Sequence, residues 1–181
     1  QAIDRLRALG FRIGILSGDH PAVVASVGRA LGLEPDQVRG GLSPEEKLEF
    51  IESAEKEGPV VMVGDGVNDA AALSAATVGI AVHGGAEASL AAADVFLTRA
   101  GLWPVVETIT GARATLRVVR RNLAFSATYN ALGAALAISG LMGPLLAALL
   151  MPFSSLTVVA SSLWGGRNAR SMEPNSMRKK G

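Results

Sequence analysis

Short apolar runs alternate with amphipathic stretches over the first hundred residues, and a long charge-free stretch follows them. Gln1 to Leu9 has helical periodicity and stops at Gly10. Phe11 to Leu16 reads as a strand closed by Ser17-Gly18-Asp19. Pro21 to Leu31 reads as a helix with proline in its first turn and Gly32 after its end. Pro44 to Lys56 reads as another, with Ser43 as its N-cap. Pro59 to Val63 is a buried strand ending at Gly64-Asp65-Gly66, and Ala70 to Ala76 is helical. Val78 to Val82 and Val95 to Leu97 supply two further strands. Strands separated by single helices predict right-handed crossovers and a mostly parallel sheet, hence the α/β class. Ligands of such sheets bind beyond the carboxyl ends of the strands. The loops at Asp19 and Asp65 both lie there.

From Leu102 the pattern changes. Arg113, Arg117, Arg120 and Arg121 stud a helical stretch, and no charged residue follows from Asn122 through Gly166. A membrane helix needs about 20 apolar residues, so this window has room for two. Gly143-Pro144 divides it into Asn122 to Met142 and Leu145 to Leu163. A buried hairpin of a water-soluble protein would need a charged outer face, and none is available. Arginines precede the first segment, and Arg167, Arg170, Arg178, Lys179 and Lys180 follow the second. By the positive-inside rule both ends are cytoplasmic and the Gly143-Pro144 turn faces outward.

Composition agrees. Of the 181 residues 49% are hydrophobic and 18% charged, with a mean hydropathy of +0.35, too apolar for an ordinary small soluble domain. A formal net charge of +1, without interleaved basic and aromatic residues, points to no nucleic-acid partner. The absence of cysteine excludes disulfides and thiolate ligands within this chain. No secretory signal opens it, and Gln1 already reads as helix interior, so upstream sequence is expected.

Gly64-Asp65-Gly66-Val67-Asn68-Asp69 comes directly after a strand and leads into a helix. Its glycines permit a tight turn and close backbone approach to a ligand. Asp65 and Asp69, four residues apart, suit a hard divalent cation such as Mg²⁺ bridging to phosphate. Asn68 can orient Asp69 or bind a phosphoryl oxygen. Ser17-Gly18-Asp19 places a hydroxyl and backbone N–H groups beside the same crevice, although the string is also common turn chemistry. Lys47, on spacing alone, reads as an ordinary surface lysine. Together a hydroxyl, a lysine and two aspartates are the parts that hold and neutralise a phosphoryl group in transfer.

The order of these parts resembles the haloacid dehalogenase (HAD) superfamily, and within it the P-type ATPase branch. GDGVNDAAALSAATVGIAV, from Gly64 to Val82, and GGAEASLAAAD, from Gly84 to Asp94, carry the likeness. Ser17 stands where threonine is more usual, and Ala71 where proline is. The resemblance implies a partial HAD-like, Rossmann-type parallel sheet over residues 1 to 103. A linking helix at 104 to 121, a two-helix transmembrane hairpin and a basic tail from 164 to 181 then follow. It implies Mg²⁺ at Asp65 and Asp69, phosphoryl contacts from Ser17 and Lys47, and support from Gly18, Asp19 and Asn68. ATP is the implied substrate, bound mainly by upstream sequence. The family's nucleophilic aspartate lies in a DKTGT motif that this chain does not contain, so the chain alone is expected to hydrolyse no ATP.

Within the expected hairpin, Ser126, Tyr129 and Asn130 lie on one side of the first segment. Met151, Ser154 and Ser155 lie in the second, with Met151 and Ser155 one turn apart. No carboxylate is present, which argues against Ca²⁺. A thioether with neutral oxygen and amide partners suits Cu(I). Tyr-Asn followed by Met-x-x-Ser-Ser is similar to the copper-transporting heavy-metal P-type ATPases, which implies Tyr129, Asn130, Met151 and Ser155 as ligands of the transported ion. Individually, Met151 also reads as a gap filler, the serines as backbone-bonded and Tyr129 as an interfacial anchor. The expectation is one part of an ATP-driven Cu(I) exporter, multi-pass in the bilayer of a bacterial plasma membrane. A membrane-anchored HAD-family phosphatase and a truncated, non-catalytic metal-binding paralogue remain as alternatives.

Overall fold

The computed structural model describes residues 1–65, 67–82, 91–143, 145, 148, 152 and 156–161. They fall into two units, Gln1–Glu107 and Thr108–Gly181.

The first unit opens with helix α1 (Ala2–Ala8), strand β1 (Ile15–Leu16) and helix α2 (Pro21–Ala30). His20 caps α2 by accepting from the Ala22 N–H through Nδ1, at 3.3 Å. A 3₁₀ turn at Pro35–Gln37 leads into strand β2 (Val38–Arg39). Helix α3 (Pro44–Glu57) has the predicted Ser43 cap, completed by Glu46. Ser43 Oγ accepts from the Glu46 N–H at 3.2 Å, and the Glu46 carboxylate accepts from the Ser43 N–H at 2.7 Å. Reciprocal capping of this kind is worth about 1 kcal/mol and fixes where the helix begins. Strand β3 (Val61–Gly64), a 3₁₀ turn (Val67–Asp69), helix α4 (Ala70–Ala75) and strands β4 (Val78–Ala81) and β5 (Val95–Phe96) follow.

Among the described residues all pairings are parallel: β1 with β2 in a two-stranded sheet, and β3-β4-β5 in a three-stranded one. The expected α/β class is therefore observed, with strands shorter than the apolar runs that announced them. Of Phe11 to Leu16, only Ile15 and Leu16 pair. Ile51 of α3, Met62 of β3 and Ala72 and Leu73 of α4 form the core, with Leu16 of β1 packed against them. Each fully buried large aliphatic side chain there contributes about 1.5–3 kcal/mol. Helix α4 and strand β4 approach closely. A Cβ on Gly79 would lie 2.5 Å from the Leu73 carbonyl oxygen, so the strand reaches the helix only through glycine.

Helix α5 (Trp103–Ile138) runs for 36 residues and continues into the second unit. It stops short of Met142 because Gly140 takes a left-handed conformation (φ +74°). The Gly140 N–H then donates to the Ala137 carbonyl and the Leu141 N–H to that of Leu136, closing the helix end. Residues 156–161 are also helical. No helix among the described residues is long and apolar enough to cross a membrane. In α5 the polar side chains of Asn122, Ser126, Thr128, Tyr129 and Asn130 interrupt the apolar run. Most of the second expected segment lies outside the described residues.

Candidate phosphate and metal site

The loops after β1 and β2 are bonded to each other, and the first turn of α3 carries Lys47 from them to Asp69 in the loop after β3. In the loop after β1, the Ser17 hydroxyl donates to the Asp19 carboxylate at 3.1 Å and accepts from the Asp19 N–H at 3.2 Å. Neighbouring backbone fixes this loop. The Ser17 N–H donates to the Arg39 carbonyl at 3.0 Å, the Leu42 N–H to the Ser17 carbonyl at 3.0 Å, and the Gly41 N–H to the Asp19 carbonyl at 2.7 Å. Ser17 is half-buried, while Gly18 and Asp19 are exposed.

Leu42 and Ser43 lead straight into α3, and one turn later comes Lys47. Its Nζ donates to Oδ1 of Asp69 at 2.6 Å. Only 9% of Lys47 and 8% of Asp69 is exposed, which makes them the only buried charged side chains among the described residues. The surface lysine that spacing suggested is thus a core residue. A buried charge is stable only when paired, and this pair satisfies both partners. Asp69 is held from its other side by β3: a Cβ on Gly64 would lie 3.0 Å from the Asp69 Cβ and 3.1 Å from Oδ2. Asp65, at the end of β3, and Asn68, in the 3₁₀ turn, are exposed.

Two pairs are observed, Ser17–Asp19 and Lys47–Asp69, joined along the backbone by the Leu42–Ser17 bond and the first turn of α3, with Asp65 and Asn68 exposed next to Asp69 in the chain. Sequence reasoning passed over Arg39, Gly40, Gly41 and Leu42, whose backbone clamps the Ser17 loop. The signal available for them was the Gly40-Gly41 pair just before the Ser43 cap. Tyr129 and Asn130 lie on α5, Tyr129 half-buried and stacked on Phe125 with ring centroids 6.4 Å apart, Asn130 exposed. Met151 and Ser155 lie outside the described residues.

A second polar cluster stabilises the unit away from the loops. Glu55 of α3 accepts from the Val60 N–H at 3.1 Å and from the Thr77 hydroxyl at 2.7 Å, and it also accepts from the Thr77 N–H. The Thr77 hydroxyl, then its N–H, hold the Glu55 carboxyl below its usual value of 4.5; partial burial opposes this, and the Val60 N–H adds to it.

Residues 1–77 match the haloacid dehalogenase-like hydrolase family model. A copper-exporting P-type ATPase of Mycobacterium leprae is 40% identical over 163 residues, 90% of this chain and 21% of that protein. The cation-transporting P-type ATPase B of Mycobacterium tuberculosis H37Rv is 39% identical over 163 residues, with the same two shares. Among solved structures, a zinc-transporting PIB-type ATPase in its E2.Pi state superposes with a TM-score of 0.84 at 36% identity. That match covers 91% of this chain and 27% of the other. The chain belongs to the P-type ATPase family. It spans about a fifth of the length of the curated relatives it matches. Within that family, the Ser17–Asp19 and Lys47–Asp69 pairs sit on the portion of the chain that also matches the hydrolase model.

Proposed function

We propose that this chain supplies the phosphoryl-supporting loops and a membrane hairpin of an ATP-driven heavy-metal pump, with Cu(I) as the transported substrate. The observation that carries the reading is the buried Lys47–Asp69 pair, linked through the first turn of α3 to the Ser17 loop. A lysine held rigidly by an aspartate presents a fixed positive charge without reorganisation, which is what stabilises a phosphoryl group in transfer. The Ser17 hydroxyl donates to Asp19 here and would serve a phosphoryl oxygen by turning from that carboxylate, with the Gly18 N–H beside it as a further donor. Asn68, exposed in the 3₁₀ turn, is assigned to orient Asp69 or to bind a phosphoryl oxygen.

Mg²⁺ fits the oxygen donors present. Asp65 is exposed at the strand end, and Asp69 has one carboxylate oxygen on Lys47 and the other against Gly64. No group of three or more His, Cys, Asp or Glu that could hold a metal occurs among the described residues. The shell would therefore be completed by phosphate and water, as Mg²⁺ favours. When bound, the ion supplies charge neutralisation at the phosphoryl oxygens.

Three features support the hairpin. Residues 122–166 carry no charge, and arginines flank them. Arg121 also donates through Nη2 to Ser161 Oγ at 2.6 Å, and Ser161 Oγ donates to Asn122 Oδ1 at 2.7 Å. These bonds tie the start of the first segment to the end of the second, as an antiparallel pair requires. Polar Tyr129 and Asn130 within such a segment are costly in lipid, and this is the argument for their contact with an ion. Both ends of the hairpin are assigned to the cytoplasm of a bacterial cell.

The likeness to a zinc-transporting structure favours one second reading, in which Zn²⁺ is the cargo. Metal-stimulated ATPase activity of the complete protein distinguishes the two. Stimulation by Cu(I) that Met151→Ala abolishes supports the copper reading. Stimulation by Zn²⁺ alone replaces it with the second.

A further inference from the structure

Four arginines on α5 have no counterpart among the phosphate-handling residues. At 3.6 residues per turn, Arg113, Arg117, Arg120 and Arg121 fall within an arc of about 100° on one face of the helix. All four are exposed. Arg113, Leu116, Arg117 and Arg120 line a groove of about 410 Å³. Arg121 donates to Ser161 and does not line that groove. No Asp or Glu occurs from Thr108 through Met172, so no carboxylate in that stretch of sequence offsets this charge. The last arginine is also the last charge before the uncharged window begins at Asn122.

We infer that the face formed by Arg117 and Arg120 binds the phosphate headgroups of anionic lipids in the cytoplasmic leaflet. The inference rests on the membrane reading proposed above, and it adds a ligand that reading does not require. Guanidinium groups pair with phosphate through two parallel hydrogen bonds, and Leu116 gives the groove an apolar wall where acyl chains begin. A basic cluster immediately cytoplasmic of a membrane helix lies within the negative potential of that leaflet, which falls off over about 8 Å at physiological salt. Arg117 and Arg120 lie about 4.5 Å apart along the helix axis, next to the start of the uncharged window. Attraction to an anionic surface is worth a factor of about five per basic residue. Losing both Arg117 and Arg120 is then expected to cost about 25-fold in preference for the anionic lipid.

The test uses the complete protein in nanodiscs of phosphatidylcholine with phosphatidylglycerol, followed by native mass spectrometry of retained lipid. Wild type is expected to retain phosphatidylglycerol over phosphatidylcholine. Arg117→Gln/Arg120→Gln is expected to lose that preference, and Arg117→Lys/Arg120→Lys to keep most of it. Equal retention of the two lipids by wild type overturns the inference, and so does an undiminished preference in the glutamine variant. Cross-linking of these arginines to another part of the same protein, with no retained anionic lipid, overturns it in favour of a protein contact. Hydrogen-exchange protection of residues 122–142 in the disc reads the membrane assignment separately. Protection there without lipid preference removes only this inference, whereas rapid exchange across that stretch removes the hairpin as well.

Discussion

Replacing Lys47 with alanine leaves the Asp69 carboxylate buried without its cation. The ammonium lies 2.6 Å from Oδ1, and each side chain retains only 11% of its exposure, so water cannot substitute without opening the packing of α3 on α4. Breaking a buried pair by removing one partner costs about 3–5 kcal/mol. Local opening of β3 and α4 exposes the carboxylate and relieves that cost, so the penalty should appear in hydrogen exchange of those segments. Converted at 1.4 kcal/mol per decade, amide protection over residues 61–64 and 70–75 should fall by about two to three and a half orders of magnitude. The complete protein is the sample, compared with Asp69→Ala and with the double variant. Removing both charges eliminates the orphan, so the double variant should lose at least about 2 kcal/mol less than the sum of the singles. Additive losses, or a fall of less than tenfold in Lys47→Ala, would refute the claim that the pair is an energetically coupled unit.

Other consequences follow from named contacts. Gly79→Ala drives a Cβ to 2.5 Å from a backbone oxygen that cannot rotate away, so protection across α4 and β4 should drop by about 1–3 kcal/mol equivalent. The Glu55 carboxyl is held below 4.5, so its stabilisation is complete above that value and is lost as pH falls through the lower folded one. Exchange at residues 60–61 and 77–78, corrected for the intrinsic rate, should therefore accelerate in wild type below about pH 4.5 and change less in Glu55→Gln. Asp65→Asn removes an exposed anionic oxygen donor. The Mg²⁺ concentration for half-maximal phosphorylation of the complete protein should rise at least about tenfold, and an unchanged requirement would remove Asp65 from the metal site.

The loop chemistry was legible because it is local. Gly64 through Asp69 announced a strand end and a turn, and Ser43-Pro44 announced the start of α3; both lie where the pattern placed them. β2 was not legible, because two residues carry no periodicity and Val38 and Arg39 become a strand only by pairing with Ile15 and Leu16. Burial of Lys47 was equally hidden. Its neighbours Glu45, Glu46 and Glu49 make the segment look solvated, and only the packing of α3 on α4 turns this one side chain inward. Asp69 was read as a carboxylate for a cation, and the tertiary fold gives it the ammonium of Lys47 as a partner. Along α5, the change from arginine-studded to uncharged sequence leaves no break in the backbone, and glycine at 140 ends the run.

The central claim is that Lys47, fixed by Asp69 and linked to the Ser17 loop, serves a phosphorylated intermediate of a pump. Acid-stable incorporation of phosphate from labelled ATP into the complete protein tests it most directly, with and without Cu(I). A hydroxylamine-sensitive acyl phosphate is expected to form in wild type when the metal is present and to be reduced at least about a hundredfold in Lys47→Ala. Phosphate-ester hydrolysis with no trapped acyl phosphate, indifferent to metal, would contradict it.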